Sequence, residues 1–269
     1  MLKKLFLGTL LVCVGVVNLS AQNSFYGARI GAMANAGCAM SDTWNISGNP
    51  AAFNNIRSFT ASLGYLNQFS SSAFSTKAGV IGFPVKSNFF GLSFNSFGED
   101  PYHETTAGLS YGRTFGNNFS IGLKFNYHSI SIANYGDAST YSVEVGLMTK
   151  VMTNLTLATH IINPSRSDFG EELQNPLLTI FRFGARYDLS DKTFIISELE
   201  KPLSNAPTFK TGLEYSVFTQ LALRGGISTH PFQQYFGAGF ITHHLQINLA
   251  ASVHPDLGYS PQMSIGYEF

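Results

Sequence analysis

The dominant pattern in this chain is an alternation of apolar with polar or small residues, which begins near residue 58 and recurs to the last residue. Residues 119–128, FSIGLKFNYH, place an aliphatic or aromatic side chain at every second position, and residues 245–254, LQINLAASVH, follow a similar pattern. Successive side chains of a β-strand point to opposite faces, so each such stretch predicts a strand with one apolar face. Fourteen stretches of this kind are counted after residue 57. The alternation is blurred at 73–83, 192–200 and 233–242, where strand bounds and register stay open.

The segments between the predicted strands alternate in length. Tight breaks fall at 85–87, 116–117, 152–153, 190–191, 219 and 243, and several of them contain the usual turn residues Gly, Asn, Asp or Ser. Longer or less regular links fall at 67–72, 99–102, 131–137, 163–176, 201–207, 230–233 and 255–260. Short turns at one end and longer loops at the other are typical of bacterial outer-membrane barrels, in which the short turns are periplasmic. An even number of strands then puts both chain ends in the periplasm.

The composition agrees with a barrel whose outer face meets lipid. Charged residues make up only 12% of the chain and aromatic residues 14%, whereas soluble domains carry about a quarter charged residues. The mean hydropathy of +0.07 is nevertheless too low for a helical membrane protein. After residue 20, no apolar run approaches the roughly 20 residues that a spanning helix needs. A secreted β-sandwich or propeller would need a polar outer face, which these strands lack.

The first residues have the pattern of a secretory signal peptide. Lys3 and Lys4 precede an apolar core at 5–17, and residues 18–21 form a predicted cleavage site before Gln22. Its removal leaves 14 basic and 16 acidic residues, since two of the 16 lysines and arginines lie in the signal. This near-neutral chain lacks the concentrated basic face that nucleic acid requires. Of the two cysteines, only Cys38 remains, so no disulfide can form within the mature chain.

One stretch of the mature chain, residues 27–53, does not alternate like a strand. It is rich in Gly and Ala and contains the only tryptophan, and near its end a proline restricts the residue before it to extended conformations. This stretch resembles the N-terminal plug region, with its Asn-Pro-Ala box, of FadL-like outer-membrane barrels and of their Bacteroidetes relatives PorV and PorQ of the type IX secretion system. The residues that carry the resemblance are Gly27, Ala28, Arg29, Ala32, Met33, Ser41, Asp42, Trp44, Asn49, Pro50 and Ala51.

The resemblance and the strand pattern together predict an all-β fold: a transmembrane antiparallel β-barrel of about 14 strands with an N-terminal plug segment in the lumen. The predicted divisions are a signal peptide at 1–21, a plug segment at 22–57 and the barrel at 58–269. In the plug, Trp44 is predicted to fill the barrel throat as an aromatic anchor, and a gate or ligand contact is the alternative. Residues 49–51 are predicted to form the structural turn that seats the plug.

Charges of both signs lie on the polar faces of the predicted strands, which would point into the lumen. We expect them to form a lattice of ion pairs with one another and with the plug, because a charge buried away from water needs a partner. A selectivity path for an ionic solute is the alternative, but it favours rings of one sign. The predicted lattice residues are Arg29, Asp42, Lys124, Glu144, Arg182, Arg186, Glu214 and Arg224, with Lys150, Glu198, Glu200 and Lys210 on the same faces.

No credible catalytic or cofactor site is found. Residues 108–112, GLSYG, match the G-x-S-x-G pattern of hydrolases, but they lie inside an alternating strand rather than at a strand-to-helix turn. His243 and His244 lack a partner at zinc-ligand spacing, and there is no phosphate-binding or dinucleotide motif. The chain is therefore predicted to be non-enzymatic, with no cofactor and no bound metal. Tyr267 and Phe269 end the last alternating stretch and resemble the C-terminal assembly signal of outer-membrane barrels.

Three functions follow from these observations. The resemblance to PorV and PorQ implies a non-enzymatic barrel that acts with protein partners of a secretion or surface-assembly machine, and this interpretation is favoured. The resemblance to FadL implies passive uptake of a hydrophobic ligand, and an outer-membrane enzyme is the third, disfavoured, function. The link at 163–176 carries Arg166, Asp168, Glu171 and Glu172, which looks too polar for a lipid funnel. Besides outer-membrane lipid, the expected partners are thus proteins or a hydrophobic molecule, with the barrel sealed by its own plug.

Overall fold

The computed structural model describes residues 24–116, 118–170 and 177–269. The predicted signal peptide at 1–21 and its cleavage site lie outside the described residues, as do Glu171 and Glu172 of the polar link. Helical structure is confined to a helix α1, Gly27–Gly31, and to 3₁₀ turns at Thr43–Ile46, Gln68–Ser70 and Ser72–Phe74. Within the described part of the chain, no helix has the length and hydropathy to cross a membrane.

Fourteen antiparallel strands form a single closed sheet, which confirms the predicted fold class and strand count. Each strand pairs with its neighbours in sequence, and β1 closes the barrel by pairing with β14, where Thr60 lies opposite Glu268. The strands are β1 Thr60–Asn67, β2 Ser75–Val85, β3 Asn88–Glu99, β4 Tyr102–Phe115, β5 Phe119–Ile132, β6 Gly136–Met152, β7 Leu155–Ile162, β8 Ile180–Ser190, β9 Thr193–Pro202, β10 Thr208–Ser216, β11 Leu221–Ser228, β12 Gln233–Ile241, β13 Leu245–His254 and β14 Gly258–Glu268.

The alternating residues point as predicted. In β5, Leu123 and Phe125 are half exposed on the outer face, while Lys124 and Asn126, which alternate with them, are buried on the inner face. The same division holds in β14, where Met263, Ile265 and Tyr267 are exposed on the outer face. Large apolar or aromatic side chains are exposed on the outside of thirteen of the fourteen strands, and in β7 the outward Leu155, Leu157 and Ile161 are partly exposed. A continuous apolar surface of this size would aggregate in water, so the outer face fits a hydrocarbon environment.

Two ends of the barrel can be distinguished by their connections. At the end where β1 begins and β14 finishes, here called the turn end, the connections are 86–87, 116–118, 153–154, 191–192, 217–220 and 242–244. At the opposite loop end they are 68–74, 100–101, 133–135, 163–179, 203–207, 229–232 and 255–257. The expectation of longer links at 99–102, 131–137 and 255–260 was therefore wrong. At 99–102 and 131–137 the reason is that β3 to β6 continue past the apolar belt, where polar outward residues keep the strand pairing without the apolar alternation. At 255–260 the pairing of β13 with β14 likewise extends to Gly258.

The three blurred stretches are strands. Residues 73–83 fall largely in β2, residues 192–200 in β9 and residues 233–242 in β12. In β2 and β12 the alternation is weak because glycines or other small side chains occupy several inward positions, and in β9 it is weak because inward Phe194 and Ile196 are themselves apolar. These positions face the chain segment that precedes β1.

A candidate functional site in the barrel lumen

Residues 24–57, here called the N-terminal segment, lie inside the barrel and fill its middle. Helix α1 packs against β12, β13 and β14, and the 3₁₀ turn at Thr43–Ile46 packs against β1, β2 and β3. The segment contributes most of the apolar core, including Phe25, Ile30 and Met33, all of which are fully buried. A lumen that closes around its own chain in this way is the natural candidate for the functional site.

Glycines on the inner wall allow this close fit. A Cβ atom at Gly122 would overlap the backbone carbonyl of Pro50, and one at Gly146 would overlap the side chain of Asn49. A strand glycine often marks such a close approach of another backbone. The sequence shows these glycines but gives no indication of what they face. The inward glycines that a Cβ would crowd against the N-terminal segment are Gly64, Gly82, Gly91, Gly112, Gly122, Gly146, Gly184, Gly212, Gly226 and Gly237.

The Asn-Pro-Ala box forms a closed turn at the centre of the lumen. Asn49 is fully buried, and its Oδ1 accepts a hydrogen bond from the backbone N–H of Ala51 at 3.0 Å. Its Nδ2 donates to the carbonyl of Cys38 at 2.8 Å, which ties the two arms of the segment together. An asparagine that bonds to the backbone two residues ahead fixes a turn locally. Pro50 then presents its carbonyl to the glycines of β4 and β5.

Trp44 lies on the other side of the lumen, near β1. Its ring packs edge-on against Phe25 with a centroid distance of 5.0 Å, and it covers Gly27 so closely that no Cβ would fit there. Asp42 caps the 3₁₀ turn, because its Oδ1 accepts a hydrogen bond from the Trp44 backbone N–H at 3.0 Å. Trp44 thus packs within the segment and against the inner wall.

Three clusters of charged side chains connect the N-terminal segment to the wall, and the first is centred on Glu214 of β10. Arg29 of α1 donates to both Glu214 oxygens at 2.7 and 2.8 Å, and its Nη1 lies 3.0 Å from Asp42. Arg224 of β11 contacts the same Glu214 carboxylate at 2.6 Å and donates to Asn248 at 2.8 Å. A bidentate Arg–carboxylate pair is directional as well as strong.

The second cluster is centred on the buried Glu144 of β6. Lys124 Nζ lies 3.2 Å from Glu144 Oε1, and His160 Nε2 lies 2.7 Å from Oε2. Lys124 also donates to the carbonyl of Ser47 in the N-terminal segment at 2.8 Å. Asn126 Nδ2 donates to Glu144 at 2.7 Å. The alternation pattern predicted Lys124 and Glu144 as lattice residues but not His160 and Asn126, whose only signal in the sequence is an inward position on a neighbouring strand.

The third cluster is centred on Arg182 of β8. Its Nε lies 2.6 Å from Glu198 and 3.3 Å from Glu200, and its Nη2 donates to the carbonyl of Asn35 at 3.0 Å. Glu198 in turn accepts the backbone N–H of Cys38 at 2.8 Å. Arg182 and Glu198 therefore bind each other and also bind backbone groups of the N-terminal segment. Such contacts cannot be predicted from residue types, because every residue carries a backbone N–H or carbonyl group.

Of the eight predicted lattice residues, Arg186 is the one that does not contact these clusters, and Lys150 on the same faces does not contact them either. Arg186 pairs with Asp188 at 2.8 Å and lies over the Phe194 ring at 3.9 Å, near the turn end of the barrel. The other predicted lattice residues either contact the N-terminal segment or contact a residue that does. The mixed signs of these clusters leave few uncompensated charges in the centre of the lumen.

Cys38 offers a direct measure of how firmly the N-terminal segment is held. The thiol is fully buried, and burial together with the nearby Glu198 carboxylate raises its pKa well above the ordinary value. We expect a maleimide to label Cys38 of the folded protein about a hundredfold more slowly than it labels the urea-unfolded chain, as an opening free energy of about 3 kcal/mol would produce. Equal labelling rates in the two states would contradict the seating of the segment.

The raised thiol pKa also sets a direction for pH dependence. A pKa that is higher in the folded state favours the protonated thiol there, so this contribution to stability is complete below the unfolded-state pKa of about 8.5. It decreases as the pH rises above that value. Labelling of the folded protein should therefore accelerate above about pH 8.5 by more than the growth of thiolate in a model thiol alone.

The fold and the lumen together define a class of protein. A closed antiparallel barrel with an apolar outer belt and polar inner face is the architecture of transmembrane barrels of the bacterial outer membrane. Comparison with protein-family models and with curated protein sequences found no match.

Comparison with solved structures identifies the type of barrel. The chain is similar to the Ralstonia pickettii toluene transporter TbuX, with a TM-score of 0.70 and 12% identity over 94% of this chain and 100% of that chain. It is also similar to the Pseudomonas putida toluene transporter TodX, at 0.65 and 11% over 91% and 99%. A Pseudomonas aeruginosa FadL homologue matches at 0.62 and 13% over 90% and 98%. At these identities the similarity establishes the fold, which is that of the FadL-type barrels.

Proposed function

We propose that the protein is a bacterial outer-membrane barrel that passively transports small hydrophobic compounds. The observation that carries this proposal is the end-to-end structural similarity to toluene transporters, which includes more than nine-tenths of this chain. The apolar outer belt supports a membrane location, and residues 1–21 are proposed to direct export and to be removed. The turn end is proposed to face the periplasm. Neighbours that are transporters and channels also support a non-enzymatic role.

Within this proposal, the N-terminal segment acts as the plug of the barrel. Its apolar side chains fill the lumen, and the three charged clusters hold it to β5, β6, β8, β9 and β10. The many contacts to its backbone favour one fixed position over a loosely inserted tail. The charged clusters then serve to hold and orient the plug, with no role in selecting an ion.

Uptake of a radiolabelled monoaromatic hydrocarbon tests the proposed function. In a host that lacks its own FadL-type barrel, cells that express this chain should take up toluene several-fold faster than cells with an empty vector. The matched control is a variant that is present in the outer membrane in equal amount but has the N-terminal segment cross-linked to the wall. Uptake at the empty-vector rate, with folded protein present, would overturn the transport proposal.

Single-channel recording tests the plug. Because the segment fills the centre of the lumen, the intact mature chain in a planar bilayer should show no large steady conductance. A chain from which residues 24–57 are deleted should conduct like an open pore, provided that it still migrates as a folded barrel on a semi-native gel. A large steady conductance from the intact chain would contradict the plug.

The type IX secretion interpretation stays a prediction from sequence, and the structural matches reported above do not support it. It rested on the resemblance to PorV and PorQ and on the polar link at 163–176, of which residues 171–176 lie outside the described residues. A pull-down in mild detergent from native membranes distinguishes the two functions. Enrichment of secretion components would favour the partner-dependent function, and enrichment of a bound hydrophobic molecule would favour transport.

A further inference from the structure

A polar cavity of about 230 Å³ lies at the turn end of the lumen, beneath the N-terminal segment. Strands β5, β6, β7 and β8 form its walls. On the inner side it is closed by the N-terminal segment, at Ala39, Ser41 and Asn54. Most of its lining is polar, with Met148 and Ala39 as the apolar exceptions. A volume of this size is below the usual range for a drug-sized ligand and suits a small polar group.

Three inward side chains form one row across the wall of this cavity. Lys150 of β6 is directly opposite Thr156 of β7, and Thr156 is directly opposite Arg186 of β8. Neighbouring strands lie about 4.8 Å apart, so the backbones of the two basic residues are roughly 10 Å apart with a threonine hydroxyl between them. Long basic side chains at that spacing can converge on one oxyanion above Thr156.

The charges of the cavity are unbalanced in favour of cations. Within the described ranges, Lys150 has no acidic side chain within salt-bridge distance, and Asp188 is the single carboxylate of the lining. Arg186 is held in place by Asp188 and by the face of Phe194, at 3.9 Å, and only part of its guanidinium is used in that pair. Among the residues that the structure describes, its remaining N–H groups have no hydrogen-bond acceptor.

The strand register is also irregular at this cavity. The described ladder shifts register at two places, between Lys150 and Met152 and between Asp188 and Ser190, and both flank the cavity. A β-bulge re-aims the side chains beside it and is over-represented next to functional sites. Asn54 donates to Ser120 at 2.9 Å and accepts from Ser41 at 3.0 Å, so the opposite side of the cavity is an ordered polar surface.

From this arrangement we infer that the cavity is a binding site for an oxyanion group, a carboxylate or a phosphate, held by Lys150, Thr156 and Arg186. Arginine presents a planar fork that matches such groups, lysine adds a point charge, and a threonine hydroxyl donates the third hydrogen bond. The group could belong to a free anion or to the polar head of an amphiphile. The site depends on the wall of the barrel and is independent of the transport proposal.

Calorimetric titration of the full mature chain in a non-ionic detergent tests the site, with inorganic phosphate and hexanoate as probes at constant ionic strength. We expect saturable binding of at least one probe, and a loss of about tenfold or more in affinity for Lys150→Gln, as for removal of a charge-assisted hydrogen bond. Lys150→Arg should restore most of the affinity. Tighter binding of hexanoate would identify an amphiphile head, and tighter binding of phosphate a free anion.

The matched control is Arg113→Gln, which removes a basic residue at the same end of the barrel but on its outer face, over the Phe115 ring. Its affinity should equal that of the parent chain. Arg186→Lys keeps the charge but loses the fork, and it should bind the probe more weakly than the parent. Absence of saturable binding of both probes, or equal affinities of Lys150→Gln and Arg113→Gln, would overturn the site.

Discussion

Replacing Gly122 with valine is expected to unseat the N-terminal segment and open the barrel. The new Cβ would overlap the carbonyl carbon and oxygen of Pro50, which are backbone atoms and cannot rotate away. β4 restricts the same carbonyl oxygen from a second side, because this oxygen lies only 2.8 Å from the position that a Cβ would take at Gly112. Overpacking against a fixed partner typically costs about 1–3 kcal/mol, and a branched side chain adds further overlap.

For Gly122→Val we expect the free energy of unfolding to fall by about 3 kcal/mol. The value is obtained from the shift of the urea unfolding midpoint in detergent. Unseating should also produce steady conductance in planar bilayers and faster maleimide labelling of Cys38. The matched control is Gly225→Val, where the nearest atom to a new Cβ is 3.7 Å away and the side chain would point outward. If Gly122→Val matched the parent chain in all three measurements, the close packing of Pro50 against β5 would be refuted.

Replacing Arg182 with methionine is expected to destabilise the protein by about 3–5 kcal/mol, since it leaves a buried carboxylate without its counter-charge. Glu198 is fully buried, and in the variant it would keep only the backbone N–H of Cys38 as a partner. The change also removes the hydrogen bond from Arg182 to the carbonyl of Asn35 and the contact with the Tyr26 ring. Both losses loosen the N-terminal segment.

A double-mutant cycle separates the charge effect from the packing effect. The pair Arg182→Met with Glu198→Met should cost less than the sum of the two single changes, because neither charge is then left alone. The control is Lys77→Met, which breaks an exposed pair with Glu99 at 3.9 Å and should change stability by less than about 1 kcal/mol. Equal effects of Arg182→Met and Lys77→Met would mean that the Arg182 cluster does not hold the segment.

Much of the barrel could be predicted because strand structure is local. The alternation in residues 119–128 assigns Leu123 to the lipid side and Lys124 to the lumen without reference to any other part of the chain. The same argument, repeated along the chain, gave fourteen strands and an apolar outer face. It failed at the loop end of β3 to β6, because strands that leave the membrane lose the apolar alternation but keep their backbone pairing. Hairpins such as 100–101 were therefore predicted as longer links.

The candidate site was predicted only in outline. The sequence placed Arg29, Glu214 and Arg182 in the lumen, and mixed signs indicated ion pairs. It could not indicate that Arg29 pairs with Glu214, a residue 185 positions away. Nor could it indicate that Arg182 and Glu198 bind backbone groups of the N-terminal segment. It also gave no means of recognising that Lys150, Thr156 and Arg186 form one row, since strand register is set by the whole sheet.

By itself, the sequence determined the number of strands, the face that each side chain occupies and the apolar character of the outer surface. These properties depend on the two-residue period of a strand and on the contrast between neighbouring side chains, which are local. Only the tertiary structure decided which charges pair, which glycines pack against Pro50 and Asn49, and where the polar cavity lies. Closing the sheet between β1 and β14 and inserting the N-terminal segment bring together residues that are far apart in the chain. Such contacts are fixed by register and packing, and no local spacing encodes them.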